Sequence, residues 1–125
     1  NAALSEKFKY RRKQGMQLAS KMRYIAAQFS AFLEDDLWKK NAAHANRMAR
    51  KLYAAVRDIP GVEVSRKVES NAVFARIPSQ IIPALQEEFF FYIWDEDISE
   101  VRWMCSFDTE EADIESFASL LRSLI

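Results

Sequence analysis

The sequence predicts an α+β fold, a small antiparallel sheet with helices packed on one face, and three observations carry that prediction. The first half of the chain holds two long stretches with apolar residues at helical spacing. The middle, from Val62 to Cys105, alternates apolar and polar residues in short runs broken by prolines and by Asp95-Glu96-Asp97. The chain then ends on one more amphipathic helix. The resulting order is α-α-β-β-α-β-β-α, with no internal repeat and no linker, which suits antiparallel strands backed by helices.

The elements follow in turn. A helix is expected from about Gln14 to Leu33, because Leu18, Met22, Ile25, Phe29 and Phe32 form one stripe. Glu34-Asp35-Asp36 interrupts it, and Asp35 or Asp36 is suited to cap a second helix by placing acid at its positive end. That helix should run to about Arg57 with Ala42, Ala45, Ala49, Leu52 and Val56 buried. Ile59-Pro60-Gly61 stops it. Val62 and Val64 mark a first strand and Val73, Ala75 and Ile77 a second. Ser79 is placed to cap a short helix through Glu88, with Pro83 tolerated in its first turn. Phe89 to Trp94 is dense in aromatics and reads as a third strand. Val101, Trp103 and Cys105 share one face of a fourth. Asp108 and Glu111 have capping-box spacing before a helix whose stripe is Ile114, Phe117, Ala118 and Leu121.

Composition narrows the class. A chain of 125 residues, half of them hydrophobic, forms one domain with a packed core. A single cysteine excludes an internal disulfide framework and fits a reducing, cytoplasmic setting. No run of about 18 apolar residues is present, so no membrane partner is expected. The chain opens on Asn1, and further sequence is expected upstream of it. Net charge is zero but uneven. Residues 1–57 carry 13 Lys/Arg against 4 Asp/Glu, and residues 58–125 carry 5 against 14. A basic half can attract phosphates, and the acidic half can equally neutralise it.

Among residue patterns, metal-ligand spacing, a glycine-rich phosphate loop and a Ser/His/Asp set are all missing. His44 reads as a solvent-facing or hydrogen-bonded helix histidine, and Cys105 as a buried inert thiol. Arg102 stands between Val101 and Trp103 on a strand that otherwise reads as core. Its guanidinium either snorkels to an edge or faces a cavity holding an anion, where its fork suits a carboxylate. Tyr10-Arg11-Arg12-Lys13 precedes the first expected helix, where cations oppose the dipole and hint at a bound anion. RNA could supply that anion, which leaves a stand-alone binding module for RNA or an acidic partner as the alternative function. No stacking platform accompanies the patch, and one phosphate group is enough.

The strings RRKQGMQLASKMRYIAAQ, NAAHANRMARKL, IPGVEV, ESNAVFARIP and VRWMCSFDTEEADI resemble, in order, blocks of the L-threonine aldolase family, particularly its low-specificity branch. The resemblance implies the C-terminal small domain of a fold-type I pyridoxal-phosphate enzyme. The whole chain, 1–125, would be that domain, led by an interdomain helix at about 14–33. The large cofactor-binding domain, with the lysine that carries pyridoxal 5′-phosphate, would lie upstream, so no catalytic residue is expected in this chain. Without that domain the chain should be inactive. The implied activity is cleavage of L-threonine, allo-threonine and related β-hydroxy-α-amino acids to glycine and an aldehyde, in a cytoplasmic homo-oligomer that binds no nucleic acid. Arg102 matches the arginine that binds the substrate carboxylate. Lys13 matches a lysine facing the cofactor phosphate of a neighbouring subunit, and Lys21 stands where many relatives have a further arginine. Met16 replaces the second glycine usual after Gly15, and Ser106 stands where some relatives have a histidine. The missing large domain should also leave an apolar patch exposed on the first helix.

Overall fold

The computed structural model describes residues 2–125, which form two compact units, one ending at Trp38 and the other spanning Lys39–Ile125. The first contains α1 (Ala2–Gln14) and α2 (Met22–Leu33). The single helix expected from Gln14 to Leu33 is therefore not formed. Gln14 ends one helix, and the next begins eight residues later. The reason is a left-handed cap at the end of α1. Met16 adopts φ 52°, while its N–H donates to Lys13 at 3.2 Å and that of Gln17 donates to Arg12 at 2.9 Å. These two bonds are the Schellman pattern that closes helix C-termini. Leu18 consequently lies outside α2 and is exposed.

A 3-10 turn at Glu34–Asp36 follows, with Asp35 and Asp36 at positive φ, a region that Asp tolerates better than most residues. Helix α3 (Leu37–Val56) comes next. In the second unit α3 buries Ala45, Met48, Ala49, Leu52 and Val56, whereas Ala42 is exposed. Gly61, at φ 82°, turns the chain out of α3, and a Cβ there would stand 3.3 Å from Ile125 Cγ2.

Four strands follow: β1 (Glu63–Val64), β2 (Ala72–Arg76), β3 (Tyr92–Asp95) and β4 (Glu100–Met104). They form one antiparallel sheet in the order β1-β2-β4-β3. Between β2 and β3 lie a 3-10 turn at Ser79–Ile81 and α4 (Ile82–Glu88). Ser79 gives no side-chain cap, and Pro83 sits in the first turn of α4 as expected. The third strand starts later than the aromatic run suggests. Phe89 caps α4 and meets the Phe117 ring edge-on at 5.2 Å, and Phe91 is buried against Trp103. Those rings fill core before the chain becomes a strand.

Helix α5 (Glu111–Leu124) closes the unit. Its capping box is Glu110 with Asp113, not Asp108 with Glu111, because Thr109 Oγ1 instead accepts from the Ser106 N–H at 2.8 Å and holds the preceding turn. Ile114, Phe117, Ala118 and Leu121 are all buried. With α3, α4 and α5 they cover the sheet face that carries Val73, Ala75, Val101 and Trp103. No helix among the described residues is long and apolar enough to cross a membrane.

Candidate functional site

Pleating sends the alternate residues of the same strands to the other face, which no helix of this unit covers. On it the register sets Arg102 of β4 between Phe74 of β2 and Tyr92 of β3. Two residues along β4, Glu100 lies opposite Arg76. Trp94 completes the group, its ring edge-to-face with Phe74 at 5.3 Å and 83°.

The Arg102 guanidinium lies over two rings, with Cζ 4.9 Å from the Trp94 centroid and 5.5 Å from that of Tyr92. Cation–π contact of this kind fixes the plane of the fork while leaving its edge open. Arg102 forms no ion pair among the described residues, and its Nε is buried without a hydrogen-bond partner. The guanidinium therefore neither reaches an internal acid among the described residues nor lies fully in solvent. A half-buried, desolvated donor with nothing to donate to is costly unless a ligand satisfies it.

A second arginine on this face is arranged differently. Arg66 donates to Glu100 Oε2 at 2.6 Å and stacks over Phe74 at 4.3 Å, with Trp94 at 5.8 Å. Ser65 Oγ donates to the other carboxylate oxygen at 2.6 Å. Glu100 is only 3% exposed, and the Ser65 hydroxyl first, then the Arg66 guanidinium, hold its carboxyl below its ordinary value against the opposing effect of burial. Farther along, Arg76 pairs with Glu63 at 3.3 Å. An open groove of about 950 Å³ adjoins this cluster, lined by Ser65, Arg66 and Glu63 together with Arg50, Tyr53, Arg57 and Lys67, but Arg102 does not line it.

The other expected site residues lie in the first unit. Lys13 stands in the last turn of α1 with Arg11 and Arg12, and Lys21 precedes α2 at φ 57°. This placement corrects the electrostatic argument. The cations sit at a helix C-terminus, where the dipole stabilises them, and not at an N-terminus where it would oppose them. The cluster therefore gives no argument for an RNA-binding module. One donor within it is unsatisfied, because Arg12 Nε is buried without a partner. His44 is hydrogen-bonded as expected, its Nε2 lying 2.8 Å from the Thr109 carbonyl oxygen. Cys105 is buried, which pushes its thiol up to about 11.

Arg66, Glu100, Trp94 and Phe74 were not singled out by the sequence. Glu100 and Arg102 share a face by simple alternation, but Arg66 sits in an irregular segment between β1 and β2, and only strand pairing brings it to Glu100.

No family model matches the chain. Two curated proteins do. The chain is 42% identical over 125 residues to the low specificity L-threonine aldolase of a Pseudomonas species, covering all of this chain and 36% of that protein. It is 43% identical over 127 residues to the low specificity L-threonine aldolase of Pseudomonas aeruginosa, covering 99% of this chain and 35% of that protein. The chain thus spans about a third of the length of the relatives it matches, and over that span it is related to the low-specificity L-threonine aldolases, corresponding to their C-terminal part.

Proposed function

We propose that this chain is the C-terminal small domain of a pyridoxal-phosphate-dependent lyase that cleaves β-hydroxy-α-amino acids such as L-threonine and allo-threonine, and that Arg102 binds the substrate carboxylate. One observation carries the reading: Arg102 presents an unpaired guanidinium, its plane set by Tyr92 and Trp94, on the uncovered face of the sheet. A bidentate carboxylate would satisfy that fork, and the rings beside it exclude water and strengthen the pair. Holding the carboxylate fixes the rotation of the substrate about Cα, so that the Cα–Cβ bond stands in the orientation required for cleavage.

The cofactor, when bound, supplies the electron sink for the pair left on Cα. The residues present fit a supporting role toward it and no more. Every lysine among the described residues is exposed, so none provides the buried amine that would carry the cofactor. The lysine and most cofactor contacts would come from an upstream large domain, and this chain would be inactive without it. Lys13 is the proposed contact to the cofactor phosphate of a neighbouring subunit, with Lys21 as a second cation. The orphaned Arg12 Nε beside Lys13 supports an anion at that place. Met22, Ile25, Phe29 and Phe32 of α2 are all exposed, which supports a helix that is covered in the complete, cytoplasmic homo-oligomer.

The test replaces Arg102 by Ala and by Lys in the complete enzyme. Arg102→Ala should lose about 2–5 kcal/mol of transition-state stabilisation, seen as a collapse in kcat/KM, while the bound cofactor keeps its visible absorbance. Arg102→Lys should recover only part of the loss, because a point charge cannot match the fork. Full activity in Arg102→Ala would overturn the reading.

A further inference from the structure

We infer that Arg66 is a positioning residue whose work is to keep Glu100 away from Arg102, so that Arg102 stays free for the carboxylate of the amino-acid substrate. The inference rests on the assignment of Arg102 given above and adds a residue to it.

Glu100 and Arg102 are two positions apart on β4 and project from the same face of the sheet. A carboxylate and a guanidinium so placed are within reach of one another, and both are sheltered from water. Left to themselves they would pair, and a paired Arg102 would meet an incoming carboxylate only after giving up an internal one. The structure shows another arrangement. Both Glu100 oxygens are already engaged, one by Ser65 and one by Arg66, each at 2.6 Å. Arg66 is itself held by stacking on Phe74 at 4.3 Å, so it offers Glu100 a preset partner. Trp94 lies beside both guanidinium groups, 5.8 Å from Arg66 Cζ and 4.9 Å from Arg102 Cζ. The two arginines thus use the same aromatic group, but only one of them has the acid.

The chemical consequence is specific. Removing Arg66 does not merely weaken the fold. It releases a buried carboxylate beside the one cation that the substrate needs, and that carboxylate acts as an internal competitor. The defect should therefore appear in amino-acid affinity, and it should be cured by neutralising Glu100.

The experiment measures KM and kcat for threonine, and the dissociation constant of glycine by spectral titration, in the complete enzyme. Arg66→Met is expected to raise KM and the glycine constant about tenfold with little change in kcat. Arg66→Met/Glu100→Gln is expected to restore both to near the parent values. Arg66→Met/Glu69→Gln restores the same net charge by removing an exposed acid that pairs with Lys67 and not with Glu100 or its neighbours, and should stay impaired. Should Arg66→Met prove insoluble, Ser65→Ala, which loosens one of the two holds on Glu100, should give a smaller rise that Glu100→Gln again removes. An unchanged glycine constant in Arg66→Met, or rescue by Glu69→Gln as readily as by Glu100→Gln, would overturn the proposal. Arg102→Ala separates the two readings. If that variant binds glycine normally, the carboxylate assignment fails and this proposal falls with it. If Arg102→Ala loses glycine while Arg66→Met keeps it, only the role of Arg66 is lost.

Discussion

Three residues show how burial decides chemistry on this small sheet. Cys105 lies among core side chains, and desolvation lifts its thiol to about 11. At pH 8 only about a thousandth of it would be thiolate. A disulfide reagent should therefore leave the native chain unlabelled and react within minutes once it is unfolded in urea. Glu100 is buried too, but hydrogen bonds from Ser65 and Arg66 favour its charged form, so its pKa falls below the ordinary 4.5. A depressed carboxyl stabilises the fold above its unfolded pKa, and that contribution disappears as pH drops through the folded value. The urea midpoint of the parent should exceed that of Glu100→Gln at pH 7, and the gap should close as the pH falls below the ordinary 4.5 and through the lowered folded value. Arg102 pairs with no acid among the described residues, and its Nε is buried without a hydrogen-bond partner.

Two helix ends carry the local energetics at the scale of elements. Met16 occupies the left-handed position of the cap that closes α1, at φ 52°. A side chain there costs on the order of 1 kcal/mol relative to glycine. Met16→Gly should raise the helicity of a peptide covering residues 1–21, measured by circular dichroism, and Met16→Val should lower it. At the other end of the chain, Glu110 and Asp113 satisfy each other's backbone donors at the start of α5. Glu110→Ala should destabilise the second unit by about 1 kcal/mol, read as a lower thermal midpoint with the same cooperativity. Asp108→Ala, at the position favoured by sequence spacing, should do much less.

For the whole molecule, the core runs from Met48 to Leu121 and lies within the unit that begins at Lys39. A chain starting at Leu37, the first residue of α3, should therefore fold alone and unfold in a single transition by circular dichroism. Much of this architecture was legible in the sequence. The helix stripe Ile114, Phe117, Ala118, Leu121 and the alternation of Val73, Ala75, Val101 and Trp103 state which side chains must leave water, and a periodic pattern of that kind leaves one solution for each element. The strings around Arg102 and Lys13 likewise sufficed to relate the chain to the threonine aldolases. The break after Gln14 was not legible, because a left-handed methionine carries no compositional signal and an apolar stripe continues across it. Nor was the Arg66–Glu100–Arg102 arrangement, since 34 residues separate Arg66 from Glu100 and only the pairing of β1 with β2 and of β2 with β4 brings them together. Local sequence determined what each element buries, because burial follows side-chain period. Tertiary structure alone decided which arginine is paired and which is free, because that depends on contacts between strands distant in the chain.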